Sequence, residues 1–134
     1  MNIAPKQLLY QLVQDNIVDQ QTADKFELAS IQKNIPIYDY LLYSTTVNKG
    51  DILKATAEVL GIPYVDLTTS PADPQATGLV SESIARRYNI LPYRYDPATQ
   101  LVSIATADPF STSVSEFIEK KIAKKVVLVL AIGG

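Results

Sequence analysis

Apolar positions recur every three to four residues through the first sixty positions of the chain, and the period then changes. Behind Pro5, a residue suited to a first helical turn, Leu8, Leu9, Leu12 and Val13 repeat at helical spacing up to Asn16. Asp19 reads as the N-cap of a second helix with Ala23, Phe26, Ser30 and Ile31 on its inner face, ending near Asn34. Pro36 reopens the chain for a third helix carrying Ile37, Tyr40, Leu41 and Ser44. Asn48 caps a fourth, with Asp51 at its third position, Val47 placed to staple against Ile52, and Gly61 at a left-handed stop.

A displacement of 29 residues lays this pattern over itself: Leu8 falls on Ile37, Leu12 on Leu41, Val13 on Leu42, Val18 on Val47, the cap Asp19 on the cap Asn48, and Ala23 on Ile52. Two helical hairpins of similar length can align this way by chance. A tandem helix-turn-helix repeat also explains why each short helix is weakly amphipathic, since neither pair can bury its apolar face alone.

After Gly61 the pattern becomes one of short strands. Ile62 to Leu67 reads as a strand that Pro63 confines to a strand start or a sheet edge, and Thr68 to Gly78 as an irregular loop. Ser81 caps a short helix with Ile84, Ala85 and Tyr88. Ile90–Tyr95 and Leu101–Thr106, five residues apart, form an antiparallel hairpin. Ser113 and Glu116 make a capping box before Val114, Phe117, Ile118 and Ile122, and Val126–Ala131 is apolar enough for a strand buried on both faces. The predicted class is α+β: a bundle of four short helices over residues 1–61, packed with a small α/β subdomain of about four strands and two helices over residues 62–134. A strand of this kind ending at Gly133-Gly134 fits a domain cut from a longer protein; a natural terminus docked in the sheet is the alternative.

Composition narrows the chemistry. The 134 residues include no Cys and no His, which removes thiolate nucleophiles, disulfides, zinc sites of the Cys/His type and imidazole acid–base catalysis. No apolar run approaches the roughly 20 residues needed to cross a bilayer, and the N-terminus lacks a signal-peptide pattern, so a cytoplasmic domain without direct membrane insertion is expected. With five Gly in all, no stretch meets G-x-x-x-x-G-K, so nucleotide hydrolysis through a P-loop is not expected of this chain. Asp15, Asp19, Asp24 and Asp51 sit at caps and exposed helix positions, and no metal or catalytic cluster is visible.

Lys120, Lys121, Lys124 and Lys125 form the one basic run, at a helix end where positive charge offsets the helix dipole. A pI near 5.0 gives too weak a positive field for nucleic acid. Arg86-Arg87 suits a phosphate or a partner carboxylate, or simply faces water. Of eight tyrosines, Tyr38, Tyr40 and Tyr43 cluster on the third helix, either as core-edge packing or as a partner surface.

The helical start, the G-I-P-Y-V-D-L run of Gly61 to Leu67, the helix leading into Ile90-Leu91-Pro92, and the strand closing on Ala107-Asp108-Pro109 together resemble the N-terminal domain of type IV pilus assembly and type II secretion ATPases, the PilB/GspE family. Leu12-Val13-Gln14-Asp15 is like the pilus branch. The resemblance implies a non-catalytic adaptor, with no cofactor of its own, that couples a downstream motor to membrane-anchored platform or regulatory proteins. It implies a cytoplasmic location, peripheral to the inner membrane through those partners, and a homo-hexamer only in the full-length ATPase.

A related form, MshEN, binds cyclic di-GMP through two tandem motifs with the same offset, each opening with Arg-Leu-Gly and carrying a Gly at the helix end. Here the Arg positions hold Gln7 and Pro36, the following Gly positions Leu9 and Tyr38, and the helix-end Gly positions Asn16 and Thr45. The aliphatic positions Leu8, Leu12, Val13, Ile37, Leu41 and Leu42 persist. Each lost cation removes a charge-assisted contact of roughly 1.5–3 kcal/mol, so the fold is expected to survive and the ligand to be lost. A cyclic di-GMP-binding regulatory domain and a free-standing enzyme using carboxylates and Tyr are the competing readings.

Overall fold

The computed structural model describes residues 3–110 and 112–132. The chain divides into two compact units, Met1–Gly61 and Ile62–Gly134.

The first unit holds α1 (Pro5–Gln14), α2 (Gln20–Lys33), α3 (Ile37–Ser44) and α4 (Lys49–Leu60). Side-chain caps start two of them: Asp19 accepts the Thr22 N–H at 2.7 Å and Asn48 the Asp51 N–H at 3.1 Å. Asparagines end two. Asn16 and Asn34 adopt left-handed φ of 59° and 55°. Beyond them the Ile17 and Ile35 N–H groups reach back to the Leu12 and Ser30 carbonyls at 2.9 and 3.0 Å, closing Schellman turns. Gly61 ends α4 at φ 70°.

Packing follows the repeat. Helix α1 packs on α2 and α4, and α3 packs on the same two, so exchanging the two helix pairs leaves the contact pattern unchanged. Leu8, Leu12, Leu41 and Ile52 are fully enclosed, with Ile37 and Ala23 nearly so. The buried hydroxyls bond locally: Thr56 donates to the Ile52 carbonyl at 2.7 Å and Ser30 to the Glu27 carbonyl at 2.9 Å. Ile31, expected inside, is exposed together with Leu28, because the inward stripe of α2 runs through Ala23 and Ser30.

The second unit holds β1 (Tyr64–Asp66), α5 (Pro74–Thr77), α6 (Glu82–Tyr88), β2 (Ile90–Asp96), β3 (Leu101–Thr106), α7 (Thr112–Ile122) and β4 (Lys125–Ile132). Its sheet runs β1-β4-β3-β2, with β4 parallel to both neighbours and β2–β3 the antiparallel hairpin. It thus has three helices where two were expected: Asp73 accepts the Gln75 N–H and folds Pro74–Thr77 into a single turn within the anticipated loop. Helix α7 opens at Thr112, so Ser113 lies inside its first turn instead of at the cap. Strand β1 is shorter than its apolar run because Pro63 cannot donate, although the Pro63 carbonyl still accepts the Leu130 N–H at 2.9 Å.

The faces of the sheet are covered unequally. Helices α6 and α7 lie on one face, over Ile90, Val102, Ile104 and Leu128. On the other, Val65, Leu67 and Ala72 reach over Ala105, Val129 and Ala131 and stop there. Strand β4 is therefore buried on both faces only from Val129 to Ala131, and Val127 is exposed. A bulge between Pro92 and Arg94 shifts the register of β2. The Tyr93 hydroxyl pairs with Ser70, and Arg94 donates to the Pro71 carbonyl at 2.9 Å, together holding the β1–α5 loop down.

Candidate functional site: the repeat motif and its clefts

The positions that would carry a cyclic dinucleotide lie at the starts of α1 and α3. Gln7 and Pro36 are exposed, and neither supplies charge. The aliphatic set turns inward: Leu8, Leu12, Ile37, Leu41 and Leu42 are buried and Val13 is half-buried, which is where a helical core needs them. The two helix-end positions have diverged. Asn16 keeps a left-handed backbone, whereas Thr45 is extended at φ −130°, its hydroxyl donating to the Leu41 carbonyl at 2.7 Å.

Two clefts open on this unit. One of about 410 Å³ lies beside Pro36 and is walled by Ile3, Pro5, Ile31 and Ile35, with Ser30 and Asn34 its polar lining. The other, about 660 Å³, falls on the repeat axis: the equivalent pairs Val18 and Val47, Asp19 and Asn48, and Thr22 and Asp51 face each other there. It holds two carboxylates and no cation. The backbone N–H of Thr22, together with its hydroxyl, holds the Asp19 carboxyl below its ordinary pKa, so that group is ionised at neutral pH. Neither cleft presents a positive group to a dianion.

The tyrosine cluster is split by the fold. Tyr38 and Tyr40 are buried, which corrects the expectation of a three-residue partner surface; Tyr40 packs edge-on against Phe26 with centroids 6.0 Å apart. At 100° per residue position 38 lies across the helix from 40 and 43, and Phe26 covers Tyr40 while Tyr43, near the end of α3, stays clear. Tyr43 alone stands out, 76% exposed, with the Lys49 ammonium 5.6 Å from its ring centre.

In the α/β unit a cleft of about 350 Å³ opens at the carboxyl ends of β3 and β4, between Ala85, Ala105 and Ala131. Its one cation, Arg86, is already paired with Glu82 at 2.6 Å. The latch of Tyr93 and Arg94 and the acidic couple of Asp15 and Glu58 were not apparent from the sequence. In that couple Gln11 donates to Asp15 at 3.1 Å and to Glu58 at 2.9 Å. Burial, and then the charge of Asp15, push the Glu58 carboxyl above its usual pKa. Both arrangements join residues distant in sequence, for which no local pattern exists. Among the described residues there is no cluster of metal-binding side chains, and no helix is long and apolar enough to cross a membrane.

A four-helix repeat joined to a mixed four-stranded sheet is an α+β class with known relatives. Residues 60–132 match the MshEN domain family. The chain belongs to that family, and it has the sequence likeness and fold of the N-terminal domain of PilB/GspE-type ATPases. It is 38% identical over 58 residues to the type IV pilus assembly ATPase PilB of Thermus thermophilus, covering 43% of this chain and 6% of the relative. To PilB of Pseudomonas aeruginosa it is 27% identical over 82 residues, 61% of this chain and 14% of the relative. The chain thus spans a small part of the length of these relatives. Among solved structures it superposes on MshE with cdg at a TM-score of 0.70 and 23% identity, covering 92% of this chain and 88% of the other. The XpsE N-terminal domain follows at 0.63 and 16%, covering 98% and 90%.

Proposed function

We propose that this chain is a non-catalytic adaptor domain of a type IV pilus assembly or type II secretion ATPase, coupling the motor to platform or regulatory proteins. The observation that carries the reading is the loss of charge at the motif positions: Gln7 and Pro36 stand where the related domains have arginine, and the clefts of the helical unit, one of them beside Pro36, hold no cation, while the aliphatic core of the repeat is kept. Such a site keeps its scaffold value and loses its grip on a nucleotide. Kinship with PilB supports placement in the cytoplasm, peripheral to the inner membrane through partners, with ATP hydrolysis by a motor outside these residues.

A cyclic di-GMP-binding regulatory domain is the second reading, favoured by the likeness in fold to MshE solved with cdg. Calorimetry with cyclic di-GMP separates the two. No heat of binding is expected; micromolar or tighter affinity overturns the adaptor reading.

A further inference from the structure

Helix α7 is sided by charge. Val114, Ile118 and Ile122 pack inward on Val102 and Ile104. At 100° per residue Phe117 and Lys121 fall on one flank of that inward stripe and Glu119 on the other, with Glu116 and Lys120 adjacent on the outer face. The flanks meet different neighbours. Glu119 accepts the Val126 N–H of β4 at 2.9 Å, whereas Phe117 lies against Tyr88 of α6 with ring centroids 5.3 Å apart.

The α6 side is edged with cations. The Arg87 guanidinium sits 5.6 Å from the centre of the Tyr88 ring, and the Lys124 ammonium 5.4 Å from that of Tyr95. Lys120 and Lys121 are exposed along α7. Among the described residues the only ion pair is Arg86–Glu82, so Arg87, Lys120, Lys121 and Lys124 have no carboxylate partner. The unit has as many carboxylates as cations, seven of each, so the positive stripe reflects segregation of charge within a neutral body. Phe117 is 40% exposed among these cations, leaving an apolar ring beside unpaired positive charge.

We propose that this stripe between α6 and α7 docks an acidic, amphipathic segment of a partner protein. The proposal rests on the adaptor reading and names its surface and the partner's chemistry. An aromatic pair ringed by cations offers an apolar anchor together with electrostatic steering. A bilayer is the poorer fit: this face exposes one large apolar ring, too little to insert, and adsorption by charge alone is screened by salt.

The test is fluorescence anisotropy of the full chain with two labelled probes, a glutamate peptide with leucines at every third or fourth position and an oligoglutamate of equal charge. The amphipathic probe is expected to bind about tenfold tighter than oligoglutamate, with Lys121→Glu weakening it about tenfold and Phe117→Ala about fivefold. Lys25→Glu, the same charge change on α2, should leave it unaffected, and circular dichroism verifies that each variant is folded. Equal affinity for the two probes, equal loss from Lys25→Glu, or no peptide binding at all overturns the proposal. So does binding only to phosphatidylglycerol vesicles, which assigns the stripe to a membrane, or self-association abolished by Lys121→Glu, which assigns it to a second copy. Cyclic di-GMP binding with peptide binding intact would remove the adaptor reading and leave this surface standing.

Discussion

The MshEN family match runs over residues 60–132, the α/β unit, and takes in only the last residue of α4 among the helices of the first unit, whereas the likeness in shape to MshE covers 92% of the chain. The two units therefore keep the fold by different means. The helical unit asks little of its sequence: apolar residues at i and i+4, two polar caps and three residues that accept or tolerate a left-handed turn suffice, and many sequences meet that list. The α/β unit depends on non-local fits, such as a bulge that turns Tyr93 and Arg94 onto one loop and a helix side chain that caps a strand N–H. Such fits tolerate substitution less well.

The largest expected effect tests whether the repeat is a physical symmetry. Leu12 and Leu41 are repeat equivalents, each fully enclosed, so Leu12→Ala and Leu41→Ala should each cost about 3 kcal/mol in urea unfolding. A difference between them approaching the cost itself would show that only one pair of helices forms the true core. Next comes the ligand motif. If charge alone was lost, Gln7→Arg with Pro36→Arg should raise affinity for cyclic di-GMP by about two decades, read by calorimetry. No gain would mean that the side chains now at the glycine positions, Leu9, Tyr38, Asn16 and Thr45, bar the ligand as well.

A smaller effect sets α7 apart from the helices of both units that end in a left-handed turn. Helices α1, α2, α4 and α6 close on Asn16, Asn34, Gly61 and Asn89, residues that take a left-handed backbone readily. Helix α7 closes on Ala123 at φ 57°, where Cβ crowds the following carbonyl. Ala123→Gly should therefore stabilise the chain by about 1 kcal/mol, whereas Asn34→Ala should destabilise it, both read from the thermal midpoint.

Where the information was local, the sequence was legible. Caps at Asp19, Asn48 and Ser81, the stop at Gly61, the hairpin of β2 and β3 and the inward aliphatic set all follow from a few neighbouring residues. What failed depended on which side of an element another element covers. Ile31 and Val127 read as core and are exposed, because their neighbours turn a different stripe inward or stop short of them. For Tyr38 and Tyr40 the sequence left core-edge packing and a partner surface both open, since the polar tip of tyrosine allows either placement, and they are buried. The charge sidedness of α7 was present in the spacing, but its meaning needed Tyr88 and Val126 on opposite flanks.

The smallest expected effect lies in the two caps themselves, one ionisable and one not. A carboxyl whose folded pKa is depressed contributes stability that is fully present above its unfolded value, 3.8 for Asp19, and is lost as pH falls through the folded value. The N–H of Thr22 is the cause, and it is the same bond that Asn48 makes with Asp51 without a titrating group. Asp19→Asn should therefore flatten the acid limb of the stability curve, and Asn48→Asp should add a matching limb on the second repeat. Glu58 acts in the opposite sense: its raised pKa favours the fold below its ordinary value of 4.5, and that contribution is lost as pH rises through the raised one. Asp15→Asn removes the like charge that burial reinforces and should shrink this opposing limb, so unfolding followed from pH 2 to 6 in the two variants reads the cap and the couple separately, roughly a unit either side of the ordinary carboxylate range.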